Sequence, residues 1–472
     1  MGQGYFQDDT IVAIATAADV VSAIGIIRIS GPCAIDVFLK LAKKTGDLGF
    51  FSSNELESHR FRRCLIVSST GQILDDALFV WMKGPNSFTG EDVVELHLHG
   101  NPFNLKRILT AAIHAGARPA LAGEFSFRAF RSGKIDLSQA EAIMDIVAGH
   151  TPQGIDGALN SLLGSTKGMV DSLKAELLHL LAMIEVDIDF SDQGLSSIDY
   201  PALGSRMASW CKSVRSIRDR FQKSLPQREG VRVAIVGAPN SGKSTLFNVL
   251  VGDDRSIVSG QAGTTRDIIR ERLLLSGKVF LLADTAGIRK TDDEVESQGI
   301  ARSFSEVGDS RLVIWVIDGS LETNESLLGQ QLSILRENSA NSSILAVISK
   351  ADLGAPRATL LDWLRSQDLP VLEVSALQNL GVSLLEERMA AICADVGPGD
   401  GFSVGRMRHF ELLGKALERV EGAIDRISGY DELPDLLASD LRSALSSLGE
   451  ITGDVTADDV LNHIFSEFCI GK

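Results

Sequence analysis

Short apolar bursts separated by turn-forming residues mark the first 130 positions of the chain. Positions 12–14, 24–29, 64–67, 77–81 and 93–99 are strand-length apolar or alternating runs, punctuated by Gly31-Pro32 and by Gly84-Pro85-Asn86-Ser87. Runs bounded in this way predict a small α+β unit. From Val231 onward the rhythm changes. The runs at 231–236, 279–283, 312–317, 344–348 and 371–374 are apolar almost throughout. Such runs suit strands buried on both faces of a parallel sheet, and the helix-like stretches between them complete a βαβ pattern. This α/β unit is placed at residues 228–387.

Two stripes of helical period flank it. Val170, Leu173, Leu177, Leu180 and Ile184 form the first; Phe410, Leu413, Leu417, Val420, Ile424 and Ile427 form the second. Each stripe gives one apolar face to a long helix, and neither helix can bury that face by itself. The economical arrangement packs the two stripes on each other, which makes the α/β unit an insertion in an all-α domain. The expected division is therefore 1–130, 131–227 (first helical part), 228–387 and 388–472 (second helical part).

Composition narrows the class. Hydrophobic residues make up 44% and charged residues 23%, an ordinary globular balance that excludes a mainly disordered or collagen-like chain. The net charge of −16 argues against a general polyanion binder. Five scattered cysteines show no CxxC spacing, so a reduced, cytoplasmic setting is expected. The N-terminal residues lack the basic and apolar regions of a secretory signal, and no apolar run reaches membrane-spanning length, so no membrane association is expected.

Candidate chemistry sits in the α/β unit. Gly237-Ala238-Pro239-Asn240-Ser241-Gly242-Lys243-Ser244 fits GxxxxGK[ST], follows a strand and runs into the helix-like Thr245-Leu246-Phe247-Asn248. In that context backbone N–H groups cradle phosphates, Lys243 reaches the β- and γ-phosphates and Ser244 takes a Mg²⁺ position. Three further strand ends carry polar motifs, where ligands bind in open α/β sheets. Asp284-Thr285-Ala286-Gly287 can hold the metal through water and sense a γ-phosphate, and Thr265 of Gly263-Thr264-Thr265 can complete the Mg²⁺ shell. Ser349-Lys350-Ala351-Asp352 places a carboxylate that accepts from guanine N1–H and N2–H₂, and Ser375-Ala376-Leu377 closes the set. The order of motifs predicts a GTPase binding GTP and GDP. Ser349 stands where GTPases usually carry Asn. It lacks the amide that donates to the base and ties down the phosphate loop, so guanine binding is expected to be weaker, with specificity kept by Asp352.

The residue that would orient the attacking water in Ras-like proteins is here Ile288, which has no polar group. The segment 292–296, ending in Glu296, is the candidate replacement. No arginine finger is evident in cis, and the Asn240 carbonyl oxygen could hold a monovalent cation beside the phosphates.

Outside the α/β unit, residues 25–31 (GIIRISG), 84–92 (GPNSFTGED), 134–142 (KIDLSQAEA) and 464–472 (IFSEFCIGK) complete a resemblance over essentially the whole chain. The sequence resembles the tRNA-modification GTPases of the MnmE (TrmE) family. That resemblance implies K⁺-stimulated GTP hydrolysis driven by G-domain dimerisation. It also implies installation of an aminomethyl or carboxymethylaminomethyl group on tRNA wobble uridine (U34), together with an FAD-binding MnmG-type partner. A tetrahydrofolate, 5-formyl-tetrahydrofolate or a relative, is implied as one-carbon donor, and a homodimer through the N-terminal domain. Family folate contacts fall on Arg28, Glu95, Lys134 and Lys472. The K⁺ loop falls on Ser259, Gly260, Gln261, Ala262, Gly263, Thr264 and Thr265, with Asn240, Ser259, Gln261 and Thr264 as K⁺ ligands. The water-orienting glutamate falls on Glu296, and Cys469 matches the cysteine implicated in modification. The segment 17–22 departs from the family's Pro/Gly-rich, basic pattern. A ribosome-assembly GTPase is the competing class, and it should carry a basic RNA-binding domain that this chain lacks.

Overall fold

The structure is a computed structural model that describes residues 9–46, 48–149, 151–191, 199–255, 270–275, 278–284, 308, 310–322, 324–339, 342–353, 358–392, 406–428, 434–468 and 470–471. The chain divides into two compact units. One comprises residues 1–148, 158–219 and 403–472; the other comprises 149–157 and 220–402.

The first unit opens on a seven-stranded mixed sheet. Strands β1 (Ile11–Ile14), β2 (Ile24–Ser30), β3 (Ala42–Lys43), β4 (Arg62–Val67), β5 (Ile73–Met82), β6 (Val93–His99) and β7 (Arg118–Pro119) lie in the order β3-β4-β5-β6-β2-β1-β7. Alternation sets one face inward. Ile27, Ile29, Leu96, Leu98, Ala77 and Phe79 are buried, and helices α1 (Ala34–Leu41) and α2 (Pro102–His114) contribute Phe38, Leu105 and Ile108 to the same core. The atypical loop after β1 is pinned at several points. Ala15 N donates to Ile26 O at 2.7 Å, Ile26 N to Thr16 Oγ1 at 3.1 Å, and Asp19 pairs with Lys106 at 2.9 Å. Helices α3 (Glu124–Arg131), α4 (Leu137–Ala148), α5 (Pro152–Leu162), α6 (Ser165–Ser191) and α7 (Tyr200–Glu229) follow.

The second unit contains the six-stranded sheet β13-β12-β11-β8-β10-β9. Its elements run β8 (Val231–Gly237), α8 (Lys243–Arg255), β9 (Arg270–Leu275), β10 (Lys278–Asp284), β11 (Leu312–Asp318), α9 (Glu325–Asn338), β12 (Ser343–Ser349), α10 (Ala358–Ser366), β13 (Val371–Glu373) and α11 (Val382–Ile392). Five strands are parallel, and β9 adds an antiparallel edge paired with β10. Buried faces on both sides explain the unbroken apolar runs: Val233, Ile235, Ile314 and Val316 pack with α8 and α11, while Ala234, Val313, Trp315 and Ile348 pack with α9 and α10.

The chain then returns to the first unit through α12 (Met407–Ser428), α13 (Pro434–Thr452) and α14 (Asp458–Ser466). Both predicted stripes are realised: Val170, Leu177 and Ile184 of α6 and Leu413, Val420 and Ile427 of α12 are buried. Their direct pairing is a point of correction, because α13 packs against both helices and supplies Leu437, Leu441 and Leu448 to the shared interior. Trp210 of α7 completes this bundle and donates its indole N–H to Leu173 O at 3.1 Å. Together these observations give a multidomain protein: an N-terminal α+β domain, an all-α domain assembled from two separated chain segments, and an α/β domain inserted between them.

Candidate functional site

The motif at 237–244 lies where β8, the strand between β11 and β10, gives way to α8. Two glycines are required there. Gly242 has φ +93°, and a Cβ on Gly237 would come within 2.2 Å of Val316 O. Asn240 adopts φ +60°, turning the loop back on itself. Lys243 folds over it and donates to Gly237 O at 2.9 Å and Ala238 O at 2.7 Å. Ser244 and Thr245 are exposed in the first turn of α8, where N–H groups and the helix dipole favour an anion. Glycines, lysine and an exposed serine in this order fit a nucleotide polyphosphate with its Mg²⁺ at Ser244.

The neighbouring strand ends supply the base side. Lys350, in left-handed conformation with φ +57° after β12, pairs with Asp318 at the end of β11 at 2.6 Å. Burial raises the Asp318 carboxyl, but hydrogen bonds from Lys350 and Ser320 outweigh it and hold the group below the usual range. Asp352 accepts from Ser375 Oγ at 2.6 Å, so the carboxylate is oriented before any base arrives. Ala351 N bonds Val374 O, and Ala376 and Leu377 follow in the adjoining turn.

Ser349 corrects one expectation. Its hydroxyl donates toward Ser241 O at 2.6 Å and faces Ile317 O at 3.1 Å. The phosphate loop therefore keeps its tie to β12 despite the missing amide. Asp318, the Lys350 partner, was not a candidate from sequence, although an Asp closing an apolar strand beside the motif could have flagged it. Asp284 ends β10, level with Ile235 of β8. The expectations for Ser259, Gly260, Gln261, Ala262, Gly263, Thr264, Thr265, Thr285, Ala286, Gly287, Glu296, Cys469 and Lys472 lie outside the described residues.

In the N-terminal domain, Arg28 on β2 faces Glu95 on β6 across the sheet. The pair is joined at 2.8 Å (Nε to Oε1) and 2.7 Å (Nη2 to Oε1). The Arg28 guanidinium lies 5.7 Å from the Phe88 ring centre and 5.6 Å from that of Phe125. Phe88 packs against the cluster of Ile11, Ala13, Ala120 and Phe125, and a buried polar network lies next to it in the chain. Arg128, 1% exposed, bonds Glu91 and Glu124, and Glu91 also accepts from Ser30 Oγ at 2.8 Å. Lys134 is exposed near Gly90. The last residues reach the same sheet: Ile470 bridges Ala122, and a Cβ on Gly471 would sit 2.4 Å from Ile14 O. A cation, a carboxylate and two flanking rings fit an aromatic, carboxylate-bearing cofactor such as a folate. On the same strand, His97 Nε2 lies 3.5 Å from Glu95 Oε2 and its ring meets Phe61 edge-on, while His99 turns away to Asp75 at 2.6 Å.

A parallel sheet with a strand–GxxxxGKS–helix phosphate loop and a serine-oriented Asp at the base-side strand end defines a P-loop GTPase. The family model described as GTP-binding protein TrmE N-terminus matches residues 10–134, and the one described as MnmE helical domain matches residues 137–469. Proteins called tRNA modification GTPase MnmE are similar from end to end. The Aquifex aeolicus chain is 39% identical over 467 residues, covering 98% of this chain and 100% of that one. The Syntrophotalea carbinolica chain is 39% identical, covering 99% and 100%. The Alkaliphilus oremlandii chain is 37% identical, also covering 99% and 100%. This chain belongs to the MnmE family of tRNA modification GTPases and is a GTP hydrolase.

Proposed function

We propose that this protein couples K⁺-stimulated GTP hydrolysis to modification of tRNA at C5 of the wobble uridine, U34. It works with an FAD-dependent partner of the MnmG type and draws a one-carbon unit from a tetrahydrofolate to install the aminomethyl or carboxymethylaminomethyl group. The supporting observation is full-length relationship to named tRNA modification GTPases, joined to a formed phosphate loop and an oriented Asp352. The domain limits 1–130, 131–227, 228–387 and 388–472 belong to the same reading, as do homodimerisation through the first domain and a cytoplasmic setting. No helix among the described residues is long and apolar enough to cross a membrane.

In this reading the phosphate loop binds and orients the triphosphate, and Lys243 neutralises charge on its β- and γ-oxygens. Ser244 and Thr265 would hold Mg²⁺, which would supply electrostatic stabilisation of the phosphates. Asn240, Ser259, Gln261 and Thr264 would hold K⁺, whose charge would stabilise the phosphates where two G domains dimerise. Glu296 orients the attacking water in place of Ile288. Asp352 reads the guanine. Arg28, Glu95, Lys134 and Lys472 orient the folate, and Cys469 takes part in the modification step. Turnover in K⁺ against Na⁺, for wild type and Glu296→Ala, tests the hydrolytic part: strong K⁺ dependence and near loss of activity in the variant are expected. Equal rates in both salts would sink it. Persistence of the modified nucleoside in tRNA from a deletion strain would sink the assignment to U34.

A further inference from the structure

Guanine offers two kinds of edge. N1–H and N2–H₂ donate and can be read by a carboxylate; N7 and O6 only accept and need a donor from the protein. A serine hydroxyl has one proton to give. The Ser349 proton is already committed: its Oγ lies 2.6 Å from Ser241 O and 3.1 Å from Ile317 O, two backbone carbonyls that can only accept. Ser349 is 7% exposed, and a Cβ added at Gly242 would come within 3.6 Å of both its Cβ and its Oγ, so the serine lies close beneath the loop. An asparagine amide carries two N–H donors and could serve loop and base together.

We infer that Ser349 is the tether of the phosphate loop and leaves the N7 side of the base unread, so that the G domain selects guanine through Asp352 without a side-chain donor from position 349. Ser349 is a positioning residue: it fixes Ser241 and, through it, the loop that surrounds the phosphates. The inference rests on the proposed guanine-nucleotide site and adds which atoms of the base that site senses.

The test compares GTP with 7-deaza-GTP, which carries C–H in place of N7. Dissociation constants are measured by calorimetry on the full-length chain. Wild type should bind the two within about threefold. Ser349→Asn should come to prefer GTP by about fivefold, the ratio commanded by one added hydrogen bond of ~1 kcal/mol. Ser349→Ala should weaken both nucleotides alike, leaving their ratio unchanged. A wild-type preference for GTP above about threefold, a changed ratio in Ser349→Ala, or an unchanged one in Ser349→Asn would overturn the inference. The wild-type comparison needs no variant to fold. Failure of wild type to bind GTP at all would instead remove the guanine-nucleotide site, a result distinct from binding without discrimination.

Discussion

Replacing Glu141 with Gln tests the junction where the chain re-enters the helical domain. Glu141 of α4 is 2% exposed and accepts from Arg408 at 2.9 Å (Nε) and 2.8 Å (Nη2). Its Oε2 also lies 2.8 Å from His409 Nε2, and Arg408 reaches Glu450 O and Ile451 O at the end of α13. Burial alone would raise the carboxyl, but His409 and Arg408 overcome it and bring the group down to about 2 from the ordinary 4.5 of a free glutamate. The folded-state value is depressed, so the stabilisation is complete above the unfolded value of 4.5 and disappears as pH falls toward 2. That gap corresponds to on the order of 3 kcal/mol. Native-state hydrogen exchange of α4 and α12 reads this locally, independent of how the other domain unfolds. Glu141→Gln should lower their opening free energy at pH 7 by on the order of 3 kcal/mol, the range for breaking a buried pair. The wild type should approach the variant as pH falls from 4.5. A difference below ~1 kcal/mol at pH 7, the worth of an exposed pair, would refute the reasoning.

Other perturbations follow from the same geometry. Ser375→Ala removes the hydrogen bond that orients Asp352 and should weaken GTP binding about fivefold, measured by calorimetry. Gly237→Ala, forced against Val316 O, should abolish nucleotide binding while far-ultraviolet circular dichroism stays close to wild type. Gly471→Ala, with φ +98° and a backbone oxygen 2.4 Å from the new Cβ, should displace the terminal residues and reduce folate binding by equilibrium dialysis. Arg28→Gln keeps polarity but loses the ion pair and the ring contacts, and should weaken folate binding about tenfold or more with nucleotide affinity unchanged.

The strands of the α/β sheet were legible because burial on both faces leaves an unbroken apolar run, as in Leu312–Asp318. Strand β9 was not: Arg270, Glu271 and Arg272 open it, and an edge strand has too few buried positions to leave that signature. The two long stripes identified α6 and α12, but not that α13 would lie against both, since periodicity reports a buried face without naming its partner. At the site, the phosphate loop was readable because its chemistry is encoded in fixed spacing. The Lys350–Asp318 pair and the reach of Ser349 to Ser241 were not, for these residues meet only when β8, β11 and β12 align. Glu141 and His409 are 268 positions apart, and no local pattern announces their contact.

The helical bundle also joins segments that lie far apart in the chain. Roughly 240 residues separate the end of α6 from the start of α13, and joining such distant helices carries a closure entropy that grows with the slack between them. Folding of the inserted nucleotide-binding domain shortens the free chain between them and so lowers that cost. A substitution that destabilises β8 or β11 would then also weaken the joining of α6 to α13, read as lower hydrogen-exchange protection of those helices.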